Sequence, residues 1–264
     1  MAAETTALIA ANESHPVRVL REQGAADFVL TADHAGRAIP RALGRLGLSE
    51  SELERHIAWD IGIAAVTERL SAALDAAAVL QLYSRLVIDC NRDPSVASSI
   101  PEISETTPIP GNVHLSPAAR AARVGAIFEP YHARIAALLD ARMAAGRRTV
   151  LVAMHSFTPV FKGEAREVQV GVLFNRDAVL ASLLLGLLRQ EGDIIVGENA
   201  PYAVSDVTDY TVPVHGEKRG LAHVEIEIRQ DLITEERGQA AWAERFARLL
   251  TEANRRLRVR EGTE

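Results

Sequence analysis

Short apolar segments alternate along the chain with longer segments in which apolar residues recur at helical spacing. A short apolar run is typical of a buried strand, whereas apolar residues every three to four positions are typical of a helix. The predicted strands are 28–31, 78–82, 86–89, 150–154, 168–174, 194–196 and 223–228. The predicted helices are 49–74, 117–145, 178–190 and 235–257.

This alternation predicts a single α/β domain. Near-continuous apolar strands separated by helices indicate a mostly parallel sheet that helices cover on both faces. A length of 264 residues suits one domain over 1–264, with a core from about 26 to 257, and no repeat or linker divides it. The irregular stretch 91–117 is long for a loop in a compact domain, and such loops are usually functional or disordered.

Composition narrows the class of protein. A net charge of −6 gives no basic footprint for nucleic acid or an anionic membrane, and no apolar run approaches the ~20 residues of a membrane span. The N-terminal residues lack the basic start and apolar stretch of a secretory signal. Cys90 is the only cysteine, so neither an intrachain disulfide nor a zinc site built from several thiolates can form. We therefore expect a cytoplasmic enzyme.

Several polar side chains lie near the ends of predicted strands or just after them. They are His34, Asn91, Arg92, His155 and the pair Glu227 and Arg229. In a parallel sheet the carboxyl ends of the strands meet at one edge, where ligands bind. Two imidazoles can bind zinc, a carboxylate can activate water, and a guanidinium can hold an anionic substrate. The sequence thus contains the side chains of a metallohydrolase.

Each of these side chains also has a structural interpretation. A single histidine after a strand is usually a polar loop residue, and Arg92 is equally suited to an ion pair with Asp89 or Asp93. Glu225 and Glu227 alternate with apolar residues, so they share one face of a strand, which is unremarkable if that face is solvated. Glycine-rich phosphate loops and a G-x-S-x-G elbow are both absent, so neither a nucleotide site nor a serine hydrolase is indicated.

Seven short motifs occur in an order that resembles one known family. They are DHAGRAIP, WDIG, SRLVIDCNRDP, PYH, AMHSFTP, NAPY and EIEIRQDL, spread from about residue 29 to residue 232. Each motif is weak alone, but the ordered set resembles the N-formylglutamate amidohydrolases. The resemblance implies a three-layer α/β/α fold with a mostly parallel mixed sheet, phosphorylase/hydrolase-like and shared with the zinc carboxypeptidases.

Three of these motifs are also similar to carboxypeptidase motifs and imply roles for individual residues. IDCNR is similar to V-D-x-N-R, which implies that Asn91 and Arg92 bind the substrate carboxylate. MHSF is similar to I-H-S-Y, which implies that His155 is a zinc ligand. IEIRQD is similar to F-E-L-R-D, which implies that Glu227 is the catalytic base.

The first carboxypeptidase ligand motif, H-x-x-E, is altered. It corresponds here to HAGR, from His34 to Arg37, and arginine cannot bind zinc. Because the resembled family places an aspartate in WDIG, Asp60 is the expected third ligand beside His34 and His155; alternatively, Asp60 braces its helix. Arg37 or Arg85 is expected to stabilise the oxyanion.

The activity implied by the resemblance is zinc-dependent hydrolysis of N-formyl-L-glutamate to formate and L-glutamate, a reaction of histidine degradation. The expected partner is a small anionic N-acyl amino acid, with no nucleic acid or membrane, and the oligomeric state stays open. Two alternatives remain: an enzyme acting on another N-acyl amino acid or a short peptide, and a non-catalytic binding protein on the same scaffold.

Overall fold

The computed structural model describes residues 7–262, so the first six and last two residues of the predicted domain lie outside it. The strands are β1 (Val17–Leu20), β2 (Phe28–Ala32), β3 (Ala77–Gln81), β4 (Ile103–Ser104), β5 (Thr107–Pro108), β6 (Val150–Phe157), β7 (Val160–Phe161), β8 (Glu164–Ala165), β9 (Val170–Leu173), β10 (Val196–Glu198) and β11 (Ala222–Arg229). The α-helices are α1 (Glu50–Leu53), α2 (Ile63–Leu74), α3 (Pro117–Arg123), α4 (Glu129–Ala144), α5 (Val179–Glu191) and α6 (Glu236–Glu261). A π-helical turn, Val124–Phe128, joins α3 to α4.

Seven of these strands form one mixed sheet in the order β1-β3-β2-β6-β11-β9-β10. β3, β2, β6 and β11 run parallel in its centre, and β9 pairs in parallel with β10. Antiparallel pairing occurs where β1 meets β3 and where β9 meets β11. The mostly parallel three-layer α/β/α architecture is therefore confirmed.

Alternate residues of the central strands belong to two separate apolar cores. Leu30 and Val152 pack on one side of the sheet with α2, α5 and α6, whereas Val29 and Leu151 pack on the other side with α4. Successive side chains of a strand point to opposite faces, so both faces are buried and the strands are apolar throughout. The amphipathic helix α6 covers the first core, and no helix within residues 7–262 is long and apolar enough to cross a membrane.

Two sequence predictions were wrong. The predicted helix 49–74 is two helices, α1 and α2, because the intervening segment turns towards β2, where the Asp60 N–H donates to the His34 carbonyl (3.0 Å). Gly62 then begins α2 with a φ of +82°, a value that suits glycine. The predicted strand 86–89 is a buried turn, in which the Asp89 N–H donates to the Ser99 carbonyl (2.7 Å). Its apolar residues reflect burial rather than an extended backbone.

The irregular stretch after residue 91 is an ordered loop that a buried arginine holds in place. It contains the β4–β5 hairpin, and Arg123, only 1% exposed, donates to its Gly111 carbonyl (3.0 Å) and Asn112 Oδ1 (2.7 Å). Arg123 also donates to the Val87 carbonyl (2.9 Å) of the buried turn. These bonds hold the loop against the carboxyl end of the sheet.

Candidate metal and active site

The candidate site lies where three central parallel strands end. His34 follows β2 by two residues, and His155 lies within β6. Glu227 of β11 is in register with His155 on the neighbouring strand, so their side chains share one face of the sheet. Gly36 lets the loop after β2 pass β3, because a Cβ there would lie 1.9 Å from the Leu82 carbonyl oxygen.

His34, Asp60 and His155 form a compact buried cluster. One candidate ligand atom from each residue lies within 4.8 Å of the other two. Asp60 Oδ2 lies 3.0 Å from His155 Nδ1 and 3.4 Å from His34 Nδ1, and all three residues are at most 3% exposed. His34 Nδ1 has no hydrogen-bond partner within the described chain. A buried, unpartnered ring nitrogen beside a carboxylate and a second imidazole suits a metal ligand set of two nitrogens and one oxygen.

A further carboxylate faces the second ring nitrogen of each histidine. His34 Nε2 lies 2.8 Å from Asp89 Oδ1, and His155 Nε2 lies 3.2 Å from Asp33 Oδ2. In metal sites this outer carboxylate accepts the N–H of one ring nitrogen and leaves the lone pair of the other free for the metal. His34 shows this hydrogen bond, whereas the Asp33 carboxylate lies near His155 Nε2 without forming one. The two imidazoles and their neighbouring carboxylates fit a bound divalent ion.

Buried charges make the cluster attractive to cations. Burial disfavours the protonated form of His155, but Glu225, Asp33 and Asp60 outweigh burial and raise its pKa. Burial also opposes ionisation of Asp60, yet His34 and His155 hold its pKa below the usual range. The carboxylates thus favour a positive charge between them, which a divalent ion can supply in place of protons.

Glu225 and Glu227 are both buried on the face of β11 that meets this cluster. Burial raises the pKa of each carboxyl to about 8, although the nearby His155 opposes the increase. One oxygen of each, Oε2, lacks a hydrogen-bond partner within the described chain, and both residues line the adjacent cavity. A carboxyl group with these properties can take up and return a proton near neutral pH.

The two candidate oxyanion arginines differ in position. Arg85 lines the cavity, donates to Asp89 Oδ2 through Nε (3.1 Å) and Nη2 (2.6 Å), and lies 3.4 Å from Asp60 Oδ1 through Nη1. Arg37 instead lies over the ring of Trp59 at 5.5 Å. The structure therefore brings Arg85 to the site and leaves Arg37 outside the cluster.

Asn91 and Arg92 reach the cavity in different ways. The Asn91 amide donates to Asp209 Oδ1 (3.0 Å) and accepts from the backbone N–H groups of Tyr210 (2.9 Å) and Thr211 (3.0 Å). Asn91 thus braces a loop of the cavity wall. Arg92 is 25% exposed and 3.9 Å from Asp209 Oδ1, so its guanidinium retains a surface towards the cavity.

The cavity beside the cluster has a volume of about 520 Å³. The loop after residue 91 supplies one wall through Ser98, Ile103 and Glu105, and the 197–220 stretch supplies another through Tyr202 and Asp209. A volume of this size accommodates a small molecule. The loop after residue 91 and the 197–220 stretch therefore form two walls of the site.

Comparison with known proteins identifies the family. The sequence model of the N-formylglutamate amidohydrolase family matches residues 26–234. The chain belongs to this family. Membership supports an amidohydrolase activity and confirms the family predicted from the ordered motifs. No curated protein matches the sequence at a significant level.

Two solved structures share the fold of this N-formylglutamate amidohydrolase family member. A gene product of Agrobacterium tumefaciens is 41% identical with a TM-score of 0.91, over 95% of this chain and 99% of that chain. An N-formylglutamate amidohydrolase from Ralstonia eutropha JMP134 is 19% identical with a TM-score of 0.67, over 94% of this chain and all of that chain. At 19% identity the second structure supports the fold alone.

Asp33 is a residue of the candidate site that sequence reasoning missed. Asp33 is fully buried, and its Oδ1 accepts hydrogen bonds from Tyr131 Oη (2.7 Å) and Thr211 Oγ1 (2.8 Å), which leaves Oδ2 facing His155. Asp33 and Tyr131 stand in the motifs DHAGRAIP and PYH, but no local spacing links them. The only indication in the sequence that the two residues belong to one site was that both stand in the ordered set of motifs.

Proposed function

We propose that the protein is a zinc-dependent hydrolase of the amide bond in N-acyl amino acids, with N-formyl-L-glutamate as its substrate. One observation carries this proposal: a buried His34–Asp60–His155 cluster lies beside the carboxyl group of Glu227 in a cavity of small-molecule size. The family whose sequence model matches the chain supports the choice of N-formylglutamate.

Zinc would be held by His34, Asp60 and His155. When bound, it supplies Lewis-acid polarisation and lowers the pKa of water. Asp89 accepts a hydrogen bond from His34 Nε2, and the Asp33 carboxylate faces His155 Nε2 at 3.2 Å. These contacts keep both imidazoles oriented inside a buried pocket.

Glu227 is the proposed general base. It would accept the proton of the attacking water and return that proton to the nitrogen of the leaving amine. Burial raises its pKa to about 8, close enough to neutral pH for the group to accept a proton and then return it. Arg85 places positive charge at the same cavity and is the proposed partner of negative charge that develops on the amide oxygen.

Arg92 is the proposed binding residue for the α-carboxylate of the substrate. Its guanidinium borders the cavity, and its closest acidic neighbour, Asp209, lies 3.9 Å away. A guanidinium in this setting can form a bidentate, charge-assisted contact with a carboxylate. Asn91 supports this wall through its bonds to the loop at residues 209–211.

The proposal is tested by zinc content together with amide hydrolysis. The purified chain should carry about one zinc ion and release free amine from N-formyl-L-glutamate. His155→Ala should lose both properties. His223→Asn is a matched control, because His223 is equally buried but contacts the Leu221 carbonyl (2.8 Å) outside the cluster. Full zinc occupancy in His155→Ala, or no hydrolysis by the zinc-loaded parent across a panel of N-acyl amino acids, would refute the proposal.

A further inference from the structure

The hairpin formed by β7 and β8 leads into an arginine with a firmly held backbone. The N–H of Arg166 donates to the Pro159 carbonyl (2.8 Å), which closes the hairpin. The carbonyl of Arg166 accepts from Arg229 Nη1 (3.0 Å), at the end of β11. Its main chain is therefore fixed between the hairpin and the strand that carries Glu227.

The guanidinium of Arg166 lies among three aromatic rings of the cavity wall. Its central carbon is 4.7 Å from the ring centre of Phe161, 4.8 Å from that of Tyr202 and 5.7 Å from that of Phe157. Nη1 also donates to Tyr202 Oη (2.7 Å). The three rings belong to residues that line the cavity. These cation–π contacts hold the guanidinium in place, and of its N–H groups only one, at Nη1, donates to another side chain of the described residues.

Arg166 contacts the aromatic side chains of the cavity wall, and it differs from the two arginines that line the cavity in its lack of an acidic partner. Arg85 is paired with Asp89, and Arg92 lies beside Asp209. Among residues 7–262, no carboxylate forms an ion pair with Arg166. A half-buried guanidinium that is rigidly placed and unpaired is suited to binding an anionic ligand.

The charge of Arg166 acts on groups inside the cavity. Burial raises the pKa of Glu227, and the positive charge of Arg166 partly opposes that increase. Burial lowers the pKa of His56, and the charge of Arg166 lowers it further. Both residues line the cavity, so the guanidinium acts across the same space that a substrate would occupy.

We propose that Arg166, with the Tyr202 hydroxyl, binds a second carboxylate of the substrate, so that the enzyme selects N-acyl derivatives of acidic amino acids. This inference rests on the proposed function, in which Arg92 binds the α-carboxylate. An N-acyl amino acid with a neutral side chain has only the α-carboxylate, so it can pair with Arg92 but not with Arg166. The sequence offered no residue that distinguishes a glutamate side chain, and the structure assigns that role to Arg166.

The test compares N-formyl-L-glutamate with N-formyl-L-glutamine, which differ only in the charge of the side chain. The zinc-loaded parent should prefer N-formyl-L-glutamate. Arg166→Met should lower kcat/KM for N-formyl-L-glutamate by ~10–150-fold and change that for N-formyl-L-glutamine by less than about threefold. Arg166→Lys should restore part of the preference, because it retains the charge without the planar fork.

Arg92→Met is the matched control, since both substrates carry the α-carboxylate and should lose kcat/KM by the same factor. Equal losses on the two substrates in Arg166→Met, or a parent without preference, would overturn the role of Arg166. Calorimetric titration with L-glutamate and L-glutamine measures the same selectivity without turnover. A parent that hydrolyses neither N-formyl substrate refutes the proposed function, and equal affinity for the two amino acids then refutes the role of Arg166 as well.

Discussion

Glu227→Gln is the most direct test of the proposed chemistry, because the structure separates its effect on the rate from any effect on stability. Glu227 Oε2 has no hydrogen-bond partner within the described chain, and glutamine has nearly the same volume. We therefore expect the melting temperature and zinc content to remain close to those of the parent. Loss of a general base should slow hydrolysis by ~10²–10⁴-fold, equivalent to about 3–5 kcal/mol in activation free energy.

Glu225→Gln is the matched control for this variant. Glu225 lies two residues earlier on the same face of β11 and is also buried with an unpartnered Oε2. However, Glu225 is in register with Ala153, whereas Glu227 is in register with the candidate ligand His155. We expect Glu225→Gln to slow hydrolysis by less than about tenfold, well below the loss that removal of a general base causes.

The assay measures kcat and KM for N-formyl-L-glutamate with zinc content determined on the same samples. A Glu227→Gln enzyme within a few-fold of the parent would show that Glu227 is not the base. A larger loss of hydrolysis rate in Glu225→Gln than in Glu227→Gln would show that Glu225 is the general base. A parallel loss of zinc would show that the carboxyl group supports the metal site instead.

Two further predictions concern Asp33, which faces His155, and the buried histidines His132 and His215. Asp33→Asn should weaken zinc binding by ~10–100-fold, because Asp33 orients His155, while the exposed control Asp231→Asn should not; competition with a chromogenic chelator measures both. Burial lowers the pKa of His132 to about 4 and that of His215 to about 3, so both stay neutral in the folded chain. The unfolded chain protonates them below about pH 6.5, so they cost about 1 kcal/mol of stability per pH unit each as pH falls from 6.5 towards 4. The urea midpoint of the parent should therefore fall relative to that of His215→Gln over this range, and parallel midpoints would contradict the assignment.

The sequence by itself determined most of the central strands of the sheet and several polar residues near their ends. The apolar runs at 28–31 and 150–154 were recognisable because burial on both faces of a parallel sheet requires continuous apolar residues. His34 and His155 stood out because polar residues after such runs must meet at one edge of the sheet. The pattern of apolar residues depends only on neighbouring positions in the sequence. It therefore identifies a strand without any knowledge of the order of the strands in the sheet.

Local patterns failed where burial came from tertiary contacts. The turn at residues 86–89 is apolar because Leu86, Val87 and Ile88 belong to the buried core on the α4 side of the sheet. The predicted helix 49–74 is interrupted because the backbone N–H of Asp60 donates to the His34 carbonyl. No regular spacing of residues in the sequence indicates either of these contacts. At 86–89 the apolar pattern therefore predicted burial correctly but predicted the backbone conformation wrongly.

Only the tertiary structure decided which distant side chains meet. β6 lies between β2 and β11, so His155 can face Asp33 on one side and Glu227 on the other. Arg166 gained its proposed role because three aromatic rings enclose it and no carboxylate among the described residues pairs with it. Such contacts depend on strand order and loop paths, which arise from packing of the whole core rather than from neighbouring residues in the sequence.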